Sequence, residues 1–138
     1  MLPANEAQRL NALRRYQILD TPPEPAFDRI AEMAANIFHV PMAGISLVDE
    51  ERVWIKARVG TNVDQVAREA GLCSSAMLSQ GVYHLRDAAH DERASREAWY
   101  RRWMLLTPSS PVSPMTIRAS RSSPYGNAII SATRLTFR

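Results

Sequence analysis

Residues 52–59, Arg-Val-Trp-Ile-Lys-Ala-Arg-Val, alternate strictly along their whole length. Side chains on a strand repeat every two residues, so Val53, Ile55, Ala57 and Val59 are predicted to share a core face. Trp54, Lys56 and Arg58 then share the opposite face. Just upstream, Met42 to Val48 is a short, mainly apolar run that reads as a buried strand. Asp49-Glu50-Glu51 supplies a polar turn between the two, and Gly60 ends the second. The expected unit is an antiparallel hairpin with one core face and one mixed face.

Two helices are predicted before it. Asn5 with Gln8 has the spacing of a capping box, and Leu10, Leu13 and Tyr16 then recur every third residue to about Ile18. Pro22, Pro23 and Pro25 break this helix and start another. In Thr21-Pro22-Pro23-Glu24, threonine is expected as the cap, proline at the first position and glutamate at the third. Phe27, Ile30, Ala34, Ile37 and Phe38 follow at helical spacing and are expected to face the sheet, and Pro41 ends the run. Residues 1–20 are thus predicted to form a helical arm projecting from the body. The arm's narrow stripe is expected to pair with another copy or to pack beneath the sheet. Beyond the hairpin, residues 61–71 read as a loop, Cys73 to Ser79 as a short helix and Val82 to Leu85 as a third strand. The order of elements predicts an α+β domain around an antiparallel sheet flanked by helices.

The chain has 138 residues, enough for one compact domain. No apolar run approaches the length of a membrane span, and the first residues lack the basic flank and apolar block of a signal peptide. One cysteine, Cys73, excludes an internal disulfide and makes a cytoplasmic location the expectation. The net charge of +3 averages two unlike segments. Residues 1–98 hold 11 basic and 14 acidic groups, whereas residues 99–138 hold six arginines and no acid. A single basic surface is therefore not implied.

Several segments resemble, in order and spacing, the start of bacterial GAF sensor domains. They are Asn5-Glu6-Ala7 through Leu10, Leu13, Ile18 through Glu24, Phe27-Asp28, Val40-Pro41 and Ser46 through Asp49. Trp54-Ile55-Lys56, Gly60, Arg68-Glu69, Cys73, Ala76 and Asp87-Ala88 continue the set. The resemblance covers about residues 5–93. It implies a sensory domain of bacterial signal transduction that binds a small molecule, such as precedes histidine kinase or cyclic di-GMP-forming cyclase modules. An output kinase or cyclase module is expected in relatives and is not seen in this sequence. The usual Ser-Phe-Cys-x-His-Ala-Ile is here Gly71-Leu72-Cys73-Ser74-Ser75-Ala76-Met77, with Ser75 at the histidine.

After Arg93 the resemblance ends. The family's Asn-Pro-Leu-Val-Thr-Gly segment and its last two strand motifs are missing, and residues 108–124 carry neither a period of 2 nor of 3.6. Back-translated from the third base of each codon, Leu106 to Val112 gives codon classes able to encode Asn-Pro-Leu-Val-Thr-Gly. Sixteen arginines against one lysine point to GC-rich coding, in which shifted frames stay open. The C-terminal part therefore reads as divergent, truncated or frame-shifted. The expected division is an arm at 1–20, a partial GAF-like domain at 21–98 and a disordered, arginine-rich tail at 99–138. The sheet is expected to lack its C-terminal strands, although Ala128-Ile129-Ile130 and Leu135-Thr136-Phe137 could supply short substitutes.

Candidate site residues are few. Trp54 and Lys56, sharing a strand face, could hold an anionic or aromatic ligand, or could simply cover the sheet with the lysine stem packed. Cys73 could touch a ligand or act as a thiol, or could be a small buried hydrophobe. No CxxC or HxxxH spacing links Cys73 with His39, His84 and His90, so no metal site is expected. No nucleophile–base–orienter set and no glycine-rich phosphate cradle is present, no cofactor is indicated, and a non-catalytic module is expected. Two other classes stay open. One is a thiol-dependent reductase on the same scaffold, using Cys73. The other is a nucleic-acid binder using Trp99-Tyr100-Arg101-Arg102-Trp103 and the basic tail.

Overall fold

The structure, a computed structural model, describes residues 2–70, 72–78, 82–85, 112–120 and 128–135. Among these residues, three helices, α1 (Glu6–Arg15), α2 (Pro25–Phe38) and α3 (Leu72–Leu78), accompany six strands. The strands are β1 (Met42–Val48), β2 (Arg52–Val59), β3 (Gln65–Ala67), β4 (Val82–Leu85), β5 (Val112–Ser120) and β6 (Ala128–Leu135). They form one antiparallel sheet in the order β3-β2-β1-β6-β5-β4. Helix α2 packs against β1, β2 and β6, while α3 packs against β1 and β5. The α+β class and the β1–β2 hairpin are as the sequence predicts. The loop expected at 61–71 contains β3 and a 3-10 turn, Arg68–Ala70.

The tail is where expectation and structure part. Segments 112–120 and 128–135, expected within a disordered tail, are strands of the same sheet, and β6 lies between β1 and β5. The physical cause is the open edge of β1. Its unpaired amides and carbonyls need partners, and β6 supplies them from Met42↔Thr133 to Leu47↔Ala128. Pro114 cannot donate to a ladder, and it falls where the β5–β6 register shifts, between Val112 and Met115. Residues 99–103, expected as one alternative nucleic-acid contact, lie outside the described residues.

Helix α1 does not project from the body; its stripe packs on the sheet, the second of the two uses expected for it. Leu10 and Leu13 are buried, and Leu13 packs with Ile18, Leu47 and Trp54 on the sheet. Asn5 stands at the N-cap without a side-chain hydrogen bond, so the expected capping box does not form. The linker also differs from expectation. Glu24, not Thr21, is the N-cap of α2, with Pro25 in the first turn. The Thr21 hydroxyl instead donates to the Ile18 carbonyl over 2.7 Å.

The sheet-facing side of α2 is Phe27, Ala31, Ala34 and Ala35; as expected, Phe27 packs on the core, while the alanines pack with Ile45 and Ala57 and with Ala43. Ile30, Ile37 and Phe38, expected inward, are exposed. Small side chains let the helix axis approach the sheet, and that approach rotates the larger ones outward. The helix ends at His39, whose left-handed backbone (φ 49°) sets Val40 N–H on the Ala35 carbonyl at 3.0 Å. This six-to-one bond is a Schellman closure. At Gly60 (φ +75°), a Cβ would lie 1.9 Å from the Pro41 carbonyl oxygen, so only glycine fits beside the start of β1.

Candidate functional site

Side chains alternate between faces along a strand, so Leu47 and its neighbour Ser46 point to opposite sides of β1. Leu47 belongs to the α1–α2 side, packed with Leu13, Ile18 and Trp54. Ser46, only 4% exposed, places its Oγ 3.4 Å from the Sγ of Cys73 on α3. The sheet therefore has two unlike faces, and the sequence-predicted residues are split between them.

Trp54 and Lys56 lie on the α1–α2 face, for a reason the strict alternation hides. The β1–β2 register runs Ile45↔Ala57 and then Ser46↔Ile55, leaving Lys56 as the extra residue of a β-bulge. A bulge sets two residues of one strand against one of its partner and re-aims the strand. Trp54, Ala57 and Val59 thereby pack on the helix side together. This corrects the expectation that Trp54 and Lys56 face away from Ala57 and Val59. The Lys56 side chain, with no exposed surface, reaches the α1–α2 linker. Its Nζ lies 2.6 Å from Thr21 Oγ1, 2.8 Å from the Pro22 carbonyl and 2.6 Å from Glu24 Oε1. An ammonium has three donors, and three acceptors meet them here. The Phe27 and Trp54 rings lie 5.4 and 5.7 Å from the same nitrogen, within cation–π range. Lys56 is thus committed to holding the linker, and Trp54 to the core beneath α1. Arg58 pairs at the surface with Asp64 over 2.5 Å.

Cys73 is half-buried on the opposite face. Ser46, Val48 and Val53 share that side of the hairpin by alternation, and Val48 and Val53 are each 1% exposed. Leu72, Ala76 and Met77 are the buried residues of α3. A hydroxyl and a thiol are thus in contact between the sheet and a seven-residue helix.

From α3 a chain of hydrogen bonds leads to α1. Ser74 Oγ donates to the Arg68 carbonyl at 2.7 Å. The Arg68 guanidinium, largely buried, donates from Nη1 to Glu6 Oε1 at 2.7 Å and to the Asp49 and Glu50 carbonyls at 3.1 and 3.2 Å. Its Nη2 is buried without an acceptor among the described residues. Glu6 also accepts from Arg9, at 2.6 and 3.0 Å, and Arg9 Nη1 donates to the Val48 carbonyl. The hydrogen bond from Arg9 holds the Glu6 carboxyl down to about 2; burial opposes this, and Arg68 adds to it. Among the site residues, sequence alone singled out Cys73. Arg68 and Glu6 entered only as matches to a motif, because the contact joins residues 62 positions apart.

Among the described residues, no cluster of His, Cys, Asp and Glu is arranged to hold a metal ion. No helix among them is long and apolar enough to cross a membrane.

No family model matches the sequence. The chain is 31% identical over 91 residues to a cyclic di-GMP phosphodiesterase of Pseudomonas aeruginosa, a match covering 66% of this chain and 16% of that protein. Among solved structures, it superposes on the GAF domain of a phosphoenolpyruvate-protein phosphotransferase from Coxiella burnetii. That match has a TM-score of 0.62 at 13% identity and covers 96% of this chain and 80% of the other. The corresponding Acinetobacter domain gives a TM-score of 0.60 at 17% identity, covering 95% and 79%. A free methionine-R-sulfoxide reductase from Neisseria meningitidis gives 0.58 at 14% identity, covering 97% and 77%. The fold is that of GAF domains, and at these identities the structural likeness extends to the fold alone.

Proposed function

We propose that the chain is a sensory GAF module that takes a small molecule on the α3 face of its sheet and carries no chemistry of its own. The supporting observation is the relay from Ser74 through Arg68 to Glu6 and Arg9, which joins the edge of that face to α1. Ligand binding shifts a conformational equilibrium only when the ligand prefers one state. A ligand that repositions α3 against Ser46 and Cys73 acts on Ser74, hence on the Arg68 backbone and the contact holding α1. The output served by such a module is cyclic di-GMP turnover, a step supported by the Pseudomonas relative, of which this chain spans 16%.

A reductase on this scaffold is the second reading, favoured by the likeness to the Neisseria enzyme and by the contact of Cys73 with Ser46 on the α3 face. Reducing a sulfoxide with a thiol yields the thioether and a cysteine sulfenic acid, which a second thiol must return to the reduced form. The sequence has one cysteine, so turnover would need an external thiol at every cycle. This asymmetry favours the sensor.

The test is a titration of the folded chain, followed by amide NMR, against cyclic nucleotides and small metabolites. The expected outcome is saturable binding with shifts at Ser46 and residues 72–77, and secondary shifts at Glu6 and Arg9. Arg68→Met should keep the first set and lose the second. Perturbations confined to the α1–α2 side would overturn the proposal. Methionine sulfoxide turnover with excess dithiol that is lost in Cys73→Ser would establish the reductase instead.

A further inference from the structure

Four ion pairs among the described residues join residues 2–24 to residues 50–68, and they are spread along the whole N-terminal segment. Glu6 pairs with Arg68 at 2.7 Å, Arg14 with Glu50 at 2.7 Å, Asp20 with Arg52 at 2.5 Å and Glu24 with Lys56 at 2.6 Å. Helix α2 is attached differently. No ion pair among the described residues ties it to the sheet, and Ala31, Ala34 and Ala35 hold it by apolar packing. The four pairs differ in exposure. Glu6 and Arg68 are largely buried, whereas the side chains of Arg14, Glu50 and Asp20 are more than half exposed. The same segment carries strain. Gln17 and Asp20 both hold left-handed backbones, with φ of 49° and 59°. A residue with a Cβ is disfavoured in that region, so both stay there only because their surroundings hold them. Between them Ile18 is buried with Leu13, Leu47 and Trp54, and Asp20 is gripped by Arg52.

We propose that residues 2–24 are a strap that opens as one unit while the sheet stays folded, and that ionic strength sets how often it opens. Opening breaks no strand pairing, because the strap lies wholly outside the ladder. It frees Gln17 and Asp20 from their left-handed backbones at the same moment, which lowers its cost. Leu10, Leu13 and Ile18 are the buried apolar side chains that oppose it, and the ion pairs add the rest of the hold. Salt weakens that second part. The Debye length falls from about 10 Å at tenth-molar salt to about 3 Å at molar salt, so the exposed pairs are the ones screened. The closed strap covers Leu47 and Trp54 with Leu13 and Ile18, and the open strap bares them. Opening requires no ligand on the α3 face, although the relay from Ser74 ends on Glu6, a member of one of the four pairs.

The experiment is native-state hydrogen exchange on the full chain, at urea concentrations below the unfolding transition. It compares the amides of residues 9–15 in α1 with those of Met42–Val48 in β1. The α1 amides are expected to share one opening constant, about tenfold or more above that of β1, with a weaker urea dependence. Going from about 0.05 M to about 1 M sodium chloride is expected to raise the α1 constant about fivefold. Gln17→Gly removes the Cβ penalty of the closed strap and is expected to lower the same constant about threefold. Circular dichroism confirms that this variant is folded. Exchange in α1 that grades inward from the helix ends, as in simple fraying, overturns the proposal. An α1 constant equal to that of β1 in size and urea slope does so too, as does one indifferent to salt or to Gln17→Gly.

Discussion

Lys56 and Glu6 each make several charged contacts from a mostly buried position, and each ties the N-terminal segment to the sheet. Lys56→Met keeps the length of the side chain but removes every donor to Thr21 Oγ1, the Pro22 carbonyl and Glu24. The Glu24 carboxylate is half-exposed and regains water, whereas the partly buried acceptors do not fully recover, so the expected loss is about 1–3 kcal/mol in urea unfolding. Lys56→Arg is expected not to rescue, because a planar guanidinium does not fit a site shaped for one ammonium. Glu6 gives a pH signature. Its folded pKa of about 2 lies below the ordinary 4.5, so the stability it contributes is present above about pH 4.5 and is lost as pH falls through 2. Asp20, held low by the hydrogen bond from Arg52, acts in the same direction from the surface. Glu6→Gln is expected to flatten the fall in stability between about pH 5 and pH 2, measured by urea unfolding at each pH; an unchanged slope would show that Glu6 contributes nothing there. The sequence marked Trp54, Lys56 and Cys73 as the residues to watch, but it could not show that the sheet separates them. Strict alternation in β2 conceals the bulge at Lys56, because a bulge is set by the partner strand's register and leaves no trace in one strand's own pattern.

At the scale of elements, local pattern was informative where the cause was local. The predicted bounds of β1, β2 and β4 coincide with those observed, and α3 begins one residue earlier than expected. The inward face of α2 was misjudged because spacing identifies apolar positions without ranking them. Phe27, Ile30, Ala34 and Ile37 fit one stripe, and Phe27 and Ala34 do face the sheet, yet Ala31 and Ala35, whose size permits a closer approach, lie there in place of Ile30 and Ile37. The same helix offers a clean test of its C-terminus. His39 is exposed and holds a left-handed backbone, φ 49° and ψ 51°, that closes the Schellman bond to Ala35. Glycine takes this conformation without the Cβ penalty, so His39→Gly is expected to stabilise the chain by about 0.5–1 kcal/mol. Thermal unfolding measures it. A loss of stability would show that the imidazole makes a contact worth more than the relief of strain.

Across the whole molecule, the sheet is assembled from strands far apart in sequence, and this is why its centre could not be read in advance. β6 follows β1 by some eighty residues yet sits directly beside it, with β5 on its other side. The apolar run Ala128-Ile129-Ile130 marks a candidate strand but not that placement, which comes from the open edges of β1 and β5 that no local pattern records. Among the described residues, the outermost strands, β3 and β4, have three and four residues, so the sheet they form ends in short edges rather than in the long exposed edge of β1 that a missing tail would leave. Short edges are one means by which sheets avoid pairing with other chains. The central position makes β6 the strand on which cooperativity depends. A chain ending at residue 127 would separate β3-β2-β1 from β5-β4, leaving a three-stranded and a two-stranded piece. Removing the central ladder is expected to abolish a single cooperative unfolding transition and to promote association through the edge of β1. In the complete chain, hydrogen exchange is expected to protect the amides of 128–135 as strongly as those of Met42–Val48, since both strands are paired on two sides. If residues 128–135 exchange freely while 42–59 remain protected, the hairpin and its helices constitute the stable unit, and the C-terminal strands do not hold the sheet together.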